Sequence, residues 1–206
     1  MRKKGFGKSE PRTRDAKKFM RAFMDCVVEA KGNETKIHQF FKSHSENLDE
    51  SLLDALPLVF TTLTAERLSG ERENIAQFFG AFGALIQQFP LGNRMLNLEL
   101  GIAACHLVLN VYTHQTFPEN WAMTQNNLGN AYRTRIQGEQ AENVEKAITA
   151  YELALQVFTR QAFPEHWAMT QNNLGVAYFD RLQGERAENL EKAITAYELA
   201  LQVYTR

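Results

Sequence analysis

The chain has 206 residues, 44% of them hydrophobic and 23% charged, with a formal net charge of −1. That length suffices for a well-buried core, and the balanced composition excludes a fibrous or low-complexity chain. No apolar run reaches the ~20 residues needed to span a bilayer, and the N-terminus lacks the apolar stretch of a secretory signal.

The small net charge hides an asymmetry. Residues 1–21 hold nine basic and two acidic residues, which leaves −8 on the remainder. Residues 1–14 therefore read as a basic, flexible arm before an acidic body. Such an arm is either a solvated tail or a contact for nucleic acid or another anionic surface. Gly7-Lys8-Ser9 matches the tail of a phosphate loop, but Arg2 stands where its first glycine belongs and no strand precedes it.

Residues 15–68 form an N-terminal helical cap, with helices predicted near 13–30, 34–45 and 48–68. Phe19, Phe23 and Val27 share a face of the first. Leu52, Leu53, Leu56, Val59, Phe60 and Leu63 stripe the last, with Pro57 placed to kink it. Cys26 and Cys105 lie far apart in apolar helical stripes and read as small buried hydrophobes. That usage suits a reducing compartment, so a cytoplasmic location is expected. The five histidines show no metal-ligand spacing.

A tandem repeat governs the remainder. Residues 115–160 and 161–206 align over 46 positions and differ at only nine: 116, 120, 130, 133, 134, 136, 140, 144 and 158 in the first copy. The same register carried back 46 residues pairs Asn97-Leu98-Glu99 with Asn143-Val144-Glu145, and Gly92 with Gly138 and Gly184. Three units follow: a degenerate one at 69–114, then 115–160 and 161–206. A fixed period of this size means stacked supersecondary units.

Each unit reads as two helices. In the second, helix A runs from Pro118, a tolerated first-turn proline, to about Ile136. Gly138 is placed to take the left-handed conformation after it. Asn143 is read as the N-cap of helix B, which runs from Val144 to about Arg160. Pro164, Gly184 and Asn189 repeat the pattern. No polar capping helix follows the last unit. The sequence is read as a fragment of a longer protein, with coverage of that face by another chain as the alternative.

The spacing Leu128-Gly129-x-x-Tyr132, then Ala147, Tyr151 and Ala154, resembles the tetratricopeptide repeat, and it recurs as Leu174, Gly175, Tyr178, Ala193, Tyr197 and Ala200. The resemblance covers about 70–206. The long form, with Trp-Ala-Met-Thr-Gln-Asn-Asn-Leu-Gly, is similar to repeats of bacterial proteins that join such an array to a caspase-like CHAT peptidase domain. The Asn-Asn-Leu core is also similar to kinesin light-chain repeats. The period is 12 residues longer than the family norm, and Trp121 and Trp167 are displaced from the family's tryptophan position.

The resemblance implies an all-α, right-handed solenoid of antiparallel helix pairs acting as a protein–protein scaffold, and the lack of catalytic or metal-ligand motifs in the sequence gives no expectation of enzymatic activity, cofactor or metal. The resemblance also implies that helix A lines a concave groove. The positions mapped there are Met123, Asn126, Asn127, Asn130, Arg133 and Thr134, then Met169, Asn172, Asn173, Val176, Phe179 and Asp180. Asparagine amides donate to and accept from a peptide backbone together. One asparagine of each adjacent pair could instead bond the neighbouring repeat. Three of the nine differences (Asn130/Val176, Arg133/Phe179, Thr134/Asp180) fall on these positions and read as specificity-setting, or as simple drift of exposed sites. Two further functions stay open: self-association through the C-terminal helix pair into a homo-oligomer, and a nucleic-acid-linked role of the basic arm.

Overall fold

The computed structural model describes residues 9–65 and 67–204, with side chains from Arg12 onward. Every regular element among them is helical. The order is α1 (Ser9–Ala30), α2 (Glu34–Ser43), a short 3-10 turn (Ser45–Asn47), α3 (Glu50–Thr64), α4 (Ser69–Gln88), α5 (Arg94–Val108), α6 (Pro118–Arg133), α7 (Gln140–Leu155), α8 (Pro164–Asp180) and α9 (Arg186–Tyr204). The three upstream helices and the two-helix reading of each unit agree with this order. The basic arm does not extend as far as expected, because α1 already begins at Ser9. Residues 1–8, including Gly7 and Lys8, lie outside the described residues.

The chain divides into two compact units, Met1–Val111 and Tyr112–Arg206. In the first, α3 packs on α1, α4 and α5, and α4 packs along α5. The periodic phenylalanines of the sequence meet there. Phe23 stacks on Phe41 with ring centroids 5.6 Å apart, and Phe82 stands edge-on to Phe23 at 5.4 Å. Phe79 meets Phe60 edge-on at 4.9 Å. Each such ring, fully buried, contributes about 1.5–3 kcal/mol through removal from water. Cys105 is buried as expected. Cys26 is half-buried, a departure from the expected apolar stripe, and both thiols are free.

The second unit holds two helix pairs, α6 with α7 and α8 with α9, and α8 also packs on α7. Val144, Ala147, Ile148 and Tyr151 of α7 form one core with Leu174 and Ala177 of α8. A second cluster, Ala122, Ala154 and Phe158, gathers Trp121, Met123, Phe163 and Trp167. Small residues permit the close approach: a Cβ on Gly129 would lie 2.5 Å from the Tyr151 ring.

The helix boundaries correct one reading. Asn143 is not the N-cap of α7. That helix starts at Gln140, and the Asn143 N–H already bonds the Glu139 carbonyl at 3.0 Å. The Asn143 side chain is buried and donates from Nδ2 to the Gln137 carbonyl at 2.8 Å. Asn189 does the same to Gln183 at 2.8 Å, and Asn97 to Leu91 at 3.0 Å. The carbonyl held each time precedes a glycine in the left-handed region: Gly138, Gly184 and Gly92 have φ of 77°, 78° and 79°. The expected left-handed glycines are therefore present, but in the loop before the second helix and not at the end of the first. Helix A ends early, at Arg133, with Thr134 as C-cap.

Candidate protein-interaction surface

The two A helices of the second unit, α6 and α8, pack side by side. Each starts at a proline in its first turn, where the missing N–H has no intrahelical partner to lose. The residues mapped to a groove lie along these helices, and the structure sorts them into three groups.

The first group is internal. Asn126 is buried, and its Oδ1 accepts from Thr170 Oγ1 at 3.3 Å and from Asn173 Nδ2 at 3.2 Å. Its carbonyl joins neighbouring repeats and does not face a ligand, which corrects the expectation for this residue. Met123 packs on the Ala122–Phe158 cluster.

The second group forms a half-buried polar seam. Asn130 Oδ1 accepts from Tyr151 Oη at 2.8 Å. Burial pushes the Tyr151 hydroxyl up to about 12, and the nearby Arg133 charge pulls the other way. Arg133 reaches Asp180 at 3.7 Å across the repeats. Two of the divergent pairs thus meet each other: Arg133 of one unit faces Asp180 of the next. At the third, Val176 replaces Asn130 and leaves Tyr197 without the acceptor that Tyr151 has. Their divergence has a packing cause besides any ligand.

The third group is open. Asn172 and Thr134 are exposed, Asn127, Asn173, Met169 and Val176 are half-buried, and Phe179 is 51% exposed. The Arg186 guanidinium lies 4.9 Å from the Phe179 ring centroid and also donates to the Phe179 carbonyl. A cation over the ring face covers part of it and leaves its edge to solvent.

Sequence reasoning missed a set of inter-repeat contacts. Arg181, the C-cap residue of α8, grips Glu145 of α7 with two parallel bonds, Nε to Oε1 at 2.7 Å and Nη2 to Oε2 at 2.9 Å. Tyr178 Oη donates to Glu152 Oε1 at 2.8 Å. Burial first, then that carboxylate, pushes the Tyr178 hydroxyl up to about 12. The signal was present in the repetition of Arg135/Arg181, Glu145/Glu191 and Glu152/Glu198 at the repeat spacing. Among the described residues no group of three His, Cys, Asp or Glu side chains is placed to hold a metal, and no helix is long and apolar enough to cross a membrane.

Residues 121–166 and 167–203 match the family model of the tetratricopeptide repeat. No curated protein and no solved structure matches the chain. The family match, with the paired helices of α6–α9, supports a protein of tetratricopeptide type.

Proposed function

We infer a role in protein–protein interaction, which tetratricopeptide repeats generally mediate, from the family match across 121–203. We propose that this protein is a binding scaffold and not an enzyme, and that it holds an extended segment of a partner protein along α6 and α8. The residues that engage it are Asn127, Asn130, Arg133 and Thr134 of the first repeat with Asn172, Asn173, Val176, Phe179 and Asp180 of the second. The carrying observation is the half-exposed Phe179 beside Val176, on a helix whose Leu174 and Ala177 are buried. It offers an apolar anchor next to amides able to pair with a peptide main chain. The long Trp-Ala-Met-Thr-Gln-Asn-Asn-Leu-Gly form of the repeat supports a place in a larger bacterial assembly of the tetratricopeptide–CHAT kind, as its recognition part.

Panning a random peptide display library against the full chain tests this reading. Selected peptides are measured by calorimetry against wild type and against Phe179→Asp, which is exposed and leaves the core untouched. Affinity is expected to fall by about tenfold or more, the size of one lost apolar anchor. Peptides that bind both chains equally, or a library that yields none, would refute the groove.

A further inference from the structure

The two A helices bring one pair of opposite charges together between the repeats. Arg133 ends α6, Asp180 ends α8, and they approach to 3.7 Å with 30% and 37% of their side chains exposed. At that distance the contact is Coulombic and not a hydrogen bond. The Arg133 Nε is buried and makes no hydrogen bond among the described residues. A cationic donor held that way lacks the acceptor that would offset its desolvation. Asp180 is poorly placed for its own helix, since a carboxylate in the last turn meets the negative end of the dipole. The same place in the first repeat holds Thr134, whose hydroxyl donates to the Asn130 carbonyl at 2.9 Å. Further donors converge on Arg133. Its guanidinium lies by the Tyr151 hydroxyl. Asn130 gives its Oδ1 to that hydroxyl at 2.8 Å, which leaves the Nδ2 hydrogens for a ligand.

We infer, resting on the groove reading above, that Arg133 receives an aspartate or glutamate of the bound segment, and that Asp180 is an intramolecular competitor which this carboxylate displaces. The exchange favours the ligand for two reasons. A free carboxylate can close to about 2.7–2.9 Å of the guanidinium, the range of a charge-assisted hydrogen bond, which Asp180 does not reach. Asp180 is also the more exposed partner and returns to water, whereas an abandoned Arg133 would stay partly buried without a counter-charge. A lysine or arginine docking on Asp180 would leave Arg133 in that state, so a basic segment is the poorer occupant. Phe179 adjoins Asp180 in the chain and stands where the first repeat has Arg133. The segment recognised therefore carries an acidic residue close to its apolar anchor.

The probes are two peptide display libraries, random except for a fixed central residue, glutamate in one and lysine in the other. Panned against the full chain, the glutamate library should enrich and the lysine library should not. The tightest glutamate peptide, titrated by calorimetry, should bind Asp180→Asn about threefold or more tighter than wild type, because the competitor is gone. It should bind Arg133→Gln about tenfold or more weaker. Glutamine in place of the peptide's glutamate should remove both effects. A gain of affinity in Asp180→Asn is a result that loss of structure does not produce. Peptides that depend on Phe179 but bind Asp180→Asn no tighter than wild type would overturn the competitor and leave the groove standing. Equal enrichment of the lysine library would do the same. Binders from neither library would overturn both readings.

Discussion

Gly129→Ala isolates the contact on which the repeat packing turns. The new Cβ would lie 2.5, 2.7 and 2.8 Å from three atoms of the Tyr151 ring. Ordinary carbon contact is about 3.5–4.0 Å, so the overlap is about 1 Å. The ring cannot drift freely, because it is fully buried and its hydroxyl is held by Asn130 Oδ1 at 2.8 Å. Overpacking costs about 1–3 kcal/mol, and a ring shift that breaks the hydroxyl bond costs about 1 kcal/mol more. Alanine returns about 1 kcal/mol of helix propensity. The net expectation is a loss of about 1–3 kcal/mol, or roughly 2–12 °C in the melting of a chain of this size. Gly175→Ala is the internal control. Its Cβ meets Tyr197 at 2.7 Å, but that ring is half-exposed and faces Val176 in place of an asparagine, so it can yield. Its cost should stay below about 1 kcal/mol. Urea titration of both variants by circular dichroism decides the matter. Gly129→Ala proving no less stable than Gly175→Ala would refute the claim that a fixed tyrosine ring imposes the glycine.

Three further outcomes follow from named contacts. Asn143→Ala should cost about 1–2 kcal/mol in urea unfolding, because the Gln137 carbonyl loses its buried donor. Asn143→Asp should be at least as damaging, since a carboxylate cannot donate, whereas an N-cap would accept aspartate without loss. A double-mutant cycle on Arg181→Ala and Glu145→Ala should give a coupling of about 1 kcal/mol that shrinks in about 1 M salt. Its basis is the two-pronged geometry, with side chains 23% and 29% exposed; a coupling of zero would make the pair a bystander. A thiol reagent at about pH 8 should modify Cys26 in the native chain and Cys105 only on unfolding. Burial pushes the Cys105 thiol up to about 12, while Cys26, raised by partial burial and by Glu29, keeps partial solvent access. Equal native reactivity of the two, read by mass spectrometry, would contradict the packing around Cys105.

The asparagines show where sequence reading ran out. Asn97, Asn143 and Asn189 recur at the repeat spacing ahead of a helix, and local rules assign such a residue to an N-cap. The chain instead starts each second helix three or four residues earlier and uses the side chain to hold a carbonyl before a left-handed glycine. Only the path of the loop decides between those two bonds. Asn126 and Asn172 are the same residue in the same motif, yet one is buried in an inter-repeat bond and the other is exposed. Their difference lies in what stands beyond them, and no local pattern contains it.

By itself the sequence determined the helical class and the paired helices of each repeat. Those follow from local periodicity and from identity between copies, which act over a few residues or one repeat length. The tertiary structure alone decided which polar groups are consumed inside the stack. Arg133 with Asp180, Arg181 with Glu145 and Tyr178 with Glu152 each join residues from 26 to 47 positions apart. A polar side chain carries the same donors and acceptors whether a neighbouring repeat or solvent receives them, and only the packing of one helix on the next chooses.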